Sequence, residues 1–123
     1  MSGMDPNGSI IHTYRVLADY DVNDPHPLIL EAGTPVEIVR DDSGWPGWVW
    51  IRSGEQSGWI PESYLGERSG HECRTIKDFN GKDLSAKRGQ ILTAKEHASG
   101  WILATDGAGQ TGWFPLFNLR PAQ

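Results

Sequence analysis

The segment Ser57-Gly58-Trp59-Ile60-Pro61 returns 54 residues later as Thr111-Gly112-Trp113-Phe114-Pro115. Four further matches keep the same order. Asp19-Tyr20-Asp21 is echoed by Asp78-Phe79-Asn80, and Leu30-Glu31-Ala32-Gly33 by Ala86-Lys87-Arg88-Gly89. Gly47-Trp48-Val49 is echoed by Gly100-Trp101-Ile102, and Tyr64-Leu65 by Asn118-Leu119. A chain of 123 residues carrying an ordered internal repeat is expected to build one small unit twice. The repeat places the units at 13–66 and 72–121, after an extension over 1–12 and around a polar linker over 67–71. At about 50 residues each unit buries only about 60% of its unfolded surface, so it gains from any architecture that leaves few open strand edges.

Each unit reads as β structure. Gly and Pro punctuate nearly every ten residues, and no apolar stripe runs at helical spacing. Short apolar runs predict strands at Thr13–Leu17, Val36–Val39, Trp48–Ile51 and Gly58–Ile60, then at Thr75–Ile76, Ile91–Ala94, Trp101–Ala104 and Gly112–Phe114. Arg52-Ser53-Gly54-Glu55 and Thr105-Asp106-Gly107-Ala108 read as hairpin loops. The expected fold is all-β, with two small five-stranded barrels in tandem. Alternation in Trp48-Val49-Trp50-Ile51 turns Val49 and Ile51 to the core and puts Trp48 and Trp50 together on the other face, exposed as a contact surface.

These residues resemble the SH3 domain. The first copy reads Val16-Leu17-Ala18-Asp19-Tyr20, Leu28-Ile29-Leu30-Glu31-Ala32-Gly33, Gly47-Trp48-Val49 and Gly58-Trp59-Ile60-Pro61-Glu62-Ser63-Tyr64-Leu65. The second reads Thr75-Ile76-Lys77-Asp78-Phe79, Leu84-Ser85-Ala86-Lys87-Arg88-Gly89, Gly100-Trp101 and Gly112-Trp113-Phe114-Pro115-Leu116-Phe117-Asn118-Leu119. The resemblance implies a non-enzymatic interaction module that takes a proline-rich or otherwise extended peptide. A polyproline II helix loses little entropy on docking, and aromatic walls receive its prolines. The implied groove of the first copy falls on Ala18, Tyr20, Trp48, Pro61 and Tyr64, with Ala18 in place of a ring. Trp50 is a further candidate, and Asp24, or else Asp21, would hold a basic residue of the ligand. The second groove falls on Lys77, Phe79, Trp101, Pro115 and Asn118. Two polar residues stand there at aromatic positions, so the copy reads as degenerate, with Phe79, Trp101 and Pro115 as a weaker site.

Charge bears on partners. Residues 1–66 carry three Lys/Arg against ten Asp/Glu, and residues 67–123 eight against six. The overall charge of −5 disfavours a nucleic-acid partner, which needs cations against phosphate. No apolar run approaches a membrane span, and no secretory leader opens the sequence, so a cytoplasmic setting is expected. Cys73 stands alone and the four histidines are dispersed, so neither a metal nor another cofactor is expected. Gly107-Ala108-Gly109-Gln110-Thr111-Gly112 has dinucleotide-loop spacing but runs into Trp113-Phe114-Pro115, a strand rather than a helix. A second role remains open: the aromatic faces could be consumed in contacts between the two units or in a homodimer.

Overall fold

The computed structural model describes residues 12–22, 26–40 and 46–122. The described chain is all-β, with two short 3-10 turns. Its strands are β1 (Thr13–Val16), β2 (Ile29–Leu30), β3 (Pro35–Arg40), β4 (Trp48–Ser53), β5 (Gln56–Pro61) and β6 (Glu72–Arg74). They continue as β7 (Phe79–Asn80), β8 (Ile91–Ala98), β9 (Trp101–Thr105), β10 (Thr111–Pro115) and β11 (Leu119–Pro121). The expected strands are present, except that Thr75–Ile76 gives way to β6, ending just before it.

The pairing departs from the expectation. The strands form a five-stranded sheet in the order β10-β9-β8-β1-β11, a four-stranded sheet β5-β4-β3-β6 and a two-stranded ribbon β2-β7. These sheets are not closed barrels: no ladder joins the end strands β10 and β11, or β5 and β6. Nor does each sheet draw on one contiguous repeat. The first strand of the first repeat, β1, pairs antiparallel with β8, Tyr14 opposite Leu92, and with β11, Arg15 opposite Arg120. The corresponding strand of the second repeat, β6, pairs with β3, Cys73 opposite Val36. The leading strands have changed places.

The compact units follow this exchange. One takes the chain up to Asn23 together with Asp83–Gln123; the other is Asp24–Lys82. They differ from the contiguous boundaries 13–66 and 72–121 read from the repeat. Both leading strands carry a buried–exposed alternation, so alternation alone does not assign either of them to a sheet.

The first unit has a core of Tyr14, Val16, Leu84, Ala86, Leu92, Ala94, Ile102, Ala104, Phe114 and Leu119. β1 contributes Tyr14 and Val16 to it and is fastened beyond the ladder. Val16 donates to the Gln90 carbonyl at 2.9 Å and accepts from Gly89 at 2.8 Å. Gly89 has φ +87°, which only glycine adopts without strain. The second unit repeats this joint. Gly33, at φ +86°, donates to the Thr75 carbonyl, and Thr75 donates to Thr34. The buried Thr75 hydroxyl donates to the Glu31 carbonyl at 2.7 Å. Val36, Ile38, Val49, Ile51, Ile60 and Phe79 are buried here, Val49 and Ile51 as expected.

Both anticipated hairpins form. β4 and β5 close tightly, with Ser53 opposite Gln56 and Gly54 at φ +60°. Between β9 and β10 the Asp106 carboxylate accepts from the Ala108 and Gln110 amides, each at 2.9 Å. The left-handed glycine there is Gly109, not the Gly107 of the Asp-Gly pair. The loop of dinucleotide spacing therefore joins two strands and has no helix N-terminus to hold a phosphate.

Tyr14 on β1 and His97 on β8 share a hydrogen bond of 2.9 Å between Oη and Nε2. Burial, and secondarily the charge of His12, hold the His97 imidazole below its usual range. Unfolding releases this group to about 6.5, so below that pH the unfolded chain binds the proton more readily and stability falls as the medium is acidified. Between pH 7.5 and 5 the urea midpoint of the wild type is expected to drop further than that of His97→Gln. Equal drops would show that His97 contributes nothing to the pH dependence.

Candidate functional site

The aromatic site of the 24–82 unit grows from the β4–β5 hairpin. Its two-residue turn sets Trp48 opposite Pro61 and Trp50 opposite Trp59. After Pro61 a 3-10 turn, Glu62–Tyr64, folds back, and the Glu62 amide donates to Gly47 at 2.8 Å. The turn carries Tyr64 onto Phe79 of β7, edge to face, with centroids 5.0 Å apart. The Ile76 amide donates to the Tyr64 carbonyl at 2.8 Å, and Lys77 places its Nζ 4.2 Å from the Tyr64 ring centre. Unit 24–82 thus contains Lys77, Phe79, Trp48, Pro61 and Tyr64: ring positions of the first repeat completed by the second.

The other unit contains the complementary set: Ala18, Tyr20, Trp101, Pro115 and Asn118. Trp101 lies opposite Pro115 on the β9–β10 ladder, and a 3-10 turn over Leu116–Asn118 follows. Tyr20 packs edge to face on Phe114 at 4.9 Å, and its backbone exchanges two hydrogen bonds with Ala86. Burial, with the nearby Asp83 charge, raises the Tyr20 hydroxyl pKa above its usual value. The two positions lacking rings join each other instead: the Asn118 amide donates to the Ala18 carbonyl at 2.8 Å and accepts from the Ala18 amide at 3.1 Å. Asn118 has become a backbone clamp.

The structure therefore divides the first expected set. Tyr20 and Asp21 lie in one unit, and Trp48, Trp50, Pro61 and Tyr64 in the other. The second set is divided too, with Phe79 apart from Trp101 and Pro115. Asp24 lies outside the described residues. Exposure also departs from expectation. Trp48 is 8% exposed and Tyr64 3%, and Pro61 is fully buried, so these rings are not an open shelf. Alternation fixes which way a side chain points but not what covers it. Trp50 is half-buried, stacked edge-on with Trp59 at 5.1 Å, and the Arg40 guanidinium lies 5.9 Å and 5.3 Å from the two ring centres. Trp59 and Arg40 were absent from the expected site. Counting outward from the two-residue turn pairs Trp50 with Trp59 from sequence alone; the β-bulge between Ile38 and Arg40, which lets Arg40 face Trp50, has no sequence signal.

A groove of about 650 Å³ in the 24–82 unit is lined by Glu37, Arg52, Glu72, Arg74 and Ile76 among others, but by none of the aromatic site residues. Cys73 also borders it, a free buried thiol whose pKa burial raises, partly countered by Arg68. Among the described residues no three His, Cys, Asp or Glu side chains gather as metal ligands, and no helix is long and apolar enough to cross a membrane.

Comparison with known proteins gives the family context. The family model of the variant SH3 domain matches residues 13–68. The SH3 and F-BAR domain-containing protein of Dictyostelium discoideum is 25% identical over 89% of this chain. SH3 and PX domain-containing protein 2A of Danio rerio is 30% identical over 79% of it, and protein 2B of Mus musculus 23% over 97%. The chain spans only 22%, 8% and 15% of these relatives. Residues 13–68 are thus similar in sequence to the variant SH3 domain, a protein-interaction module, although the structure divides them between its two units.

Proposed function

We propose that the protein binds an extended, proline-containing segment of a partner protein on the aromatic site of the 24–82 unit. The observation that carries this reading is the convergence of Trp48, Pro61, Tyr64 and Phe79 in one unit, with the half-buried Trp50 and Trp59 on the same hairpin as the rings a segment would meet first. The matched set in the other unit has Ala18 and Asn118 tied together where two rings belong. The 72–121 repeat, on this reading, donates Phe79 and keeps a degenerate groove of its own.

The charge beside the favoured site is mixed. Lys77 lies over Tyr64 and Lys82 follows Phe79 by three residues, but Glu62 follows Pro61 and Asp78 precedes Phe79, while Asp21 belongs to the other unit. These groups alone do not select the sign of a ligand's charge. Titrating the chain with proline-rich peptides tests the assignment. A bound peptide is expected to shift tryptophan fluorescence, and Trp48→Ala to weaken binding at least tenfold, while Trp101→Ala leaves it nearly unchanged. Binding that survives Trp48→Ala would contradict the assignment.

The burial of Trp48 and Tyr64 favours a second reading, in which these rings hold the protein's own structure together. That reading predicts a loss of about 3–5 kcal/mol of stability in Trp48→Ala, with no peptide response in the wild type.

A further inference from the structure

The segment 12–22 is held by the other end of the chain. β1 pairs with β8 and β11. Beyond it, Leu17 donates to the Asn118 carbonyl, Tyr20 exchanges two backbone bonds with Ala86, the Asp19 carboxylate accepts from the Arg88 amide, and Val22 donates to the Ser85 hydroxyl. These partners lie within 83–122. The seat is also demanding, since Tyr14 and Val16 fill its core at 4% and 1% exposure.

We propose that this seat also receives the 12–22 segment of a second copy of the chain, giving a reciprocally exchanged dimer. Every hydrogen bond and core contact of the segment is kept in such a dimer; only the covalent route between segment and seat changes. The balance between the two forms is then one of effective concentration, at or below about 1 mM for a segment tethered to its seat through residues 23–82. At chain concentrations well below that the seat is filled from within, and near it, from a partner. This inference stands on strand pairing alone and does not depend on peptide binding.

The test is to unfold the chain in guanidinium and refold it at ~10 µM and at ~1 mM, then separate the species by size exclusion with light scattering. Dimer is expected in about half of the chains at the higher concentration and in a few per cent at the lower. Once formed it should persist for hours after hundredfold dilution, because leaving the seat requires opening the unit. Monomer alone at both concentrations, or a dimer that dissolves on dilution, would overturn the proposal. A second variant reads the seat itself: Arg15→Cys with Ile91→Cys, in a Cys73→Ser background, places thiols on directly paired residues. On oxidation of refolded samples the disulfide should link two chains in the persistent dimer and close within one chain in the monomer. Disulfides found only within chains in that dimer would equally overturn it.

Discussion

Val16→Asp is expected to unfold the unit built by 83–122 while leaving the 24–82 unit folded. Val16 is 1% exposed within the core of the first unit, and its backbone bonds Gly89 and Gln90 in both directions. A carboxylate there has no cation to meet in that apolar cluster, and burying it unpaired costs about 4 kcal/mol or more, a large part of a small unit's stability. Amide hydrogen exchange checks the effect segment by segment. Protection should vanish over β8–β11 and remain over β3–β5. With contiguous repeats the damage would fall on 35–61, the body that follows Val16 in sequence.

Phe79→Ala has a comparable effect in the other unit. Phe79 is 3% exposed and stacks on Tyr64, so its truncation should cost about 3–5 kcal/mol. It should also lower affinity for a peptide held on Trp48, Pro61 and Tyr64, since the ring that steadies Tyr64 is gone. Denaturant melts followed through Trp48, Trp50 and Trp59 read the first effect, and peptide titration of the folded variant reads the second. If Phe79→Ala instead disturbed only the unit of Trp101 and Pro115, the composite arrangement would be wrong.

The strands, both hairpins and the inward faces of Val49 and Ile51 were legible because each depends on local alternation and turn chemistry. The exchange was not. Thr13–Val16 and Glu72–Arg74 present equivalent patterns to equivalent sheets, so periodicity cannot decide which body each leading strand completes. The candidate site shows the same division. Trp48, Pro61 and Tyr64 fall in one unit because the β4–β5 hairpin and the turn after it are contiguous in sequence. Tyr20 falls in the other unit because it is held there by a long-range pairing with Ala86. The expected openness of Trp48 failed for a related reason: a repeat motif specifies a ring and its direction, and coverage is a tertiary outcome.

Cross-strand nuclear Overhauser contacts test the exchanged assembly most directly. In dilute solution Tyr14 should contact Leu92, Arg15 should contact Arg120, and Cys73 should contact Val36. Contacts from residues 13–16 to 35–37, together with contacts from 72–74 to 91–93, would show two self-contained repeats and contradict the account.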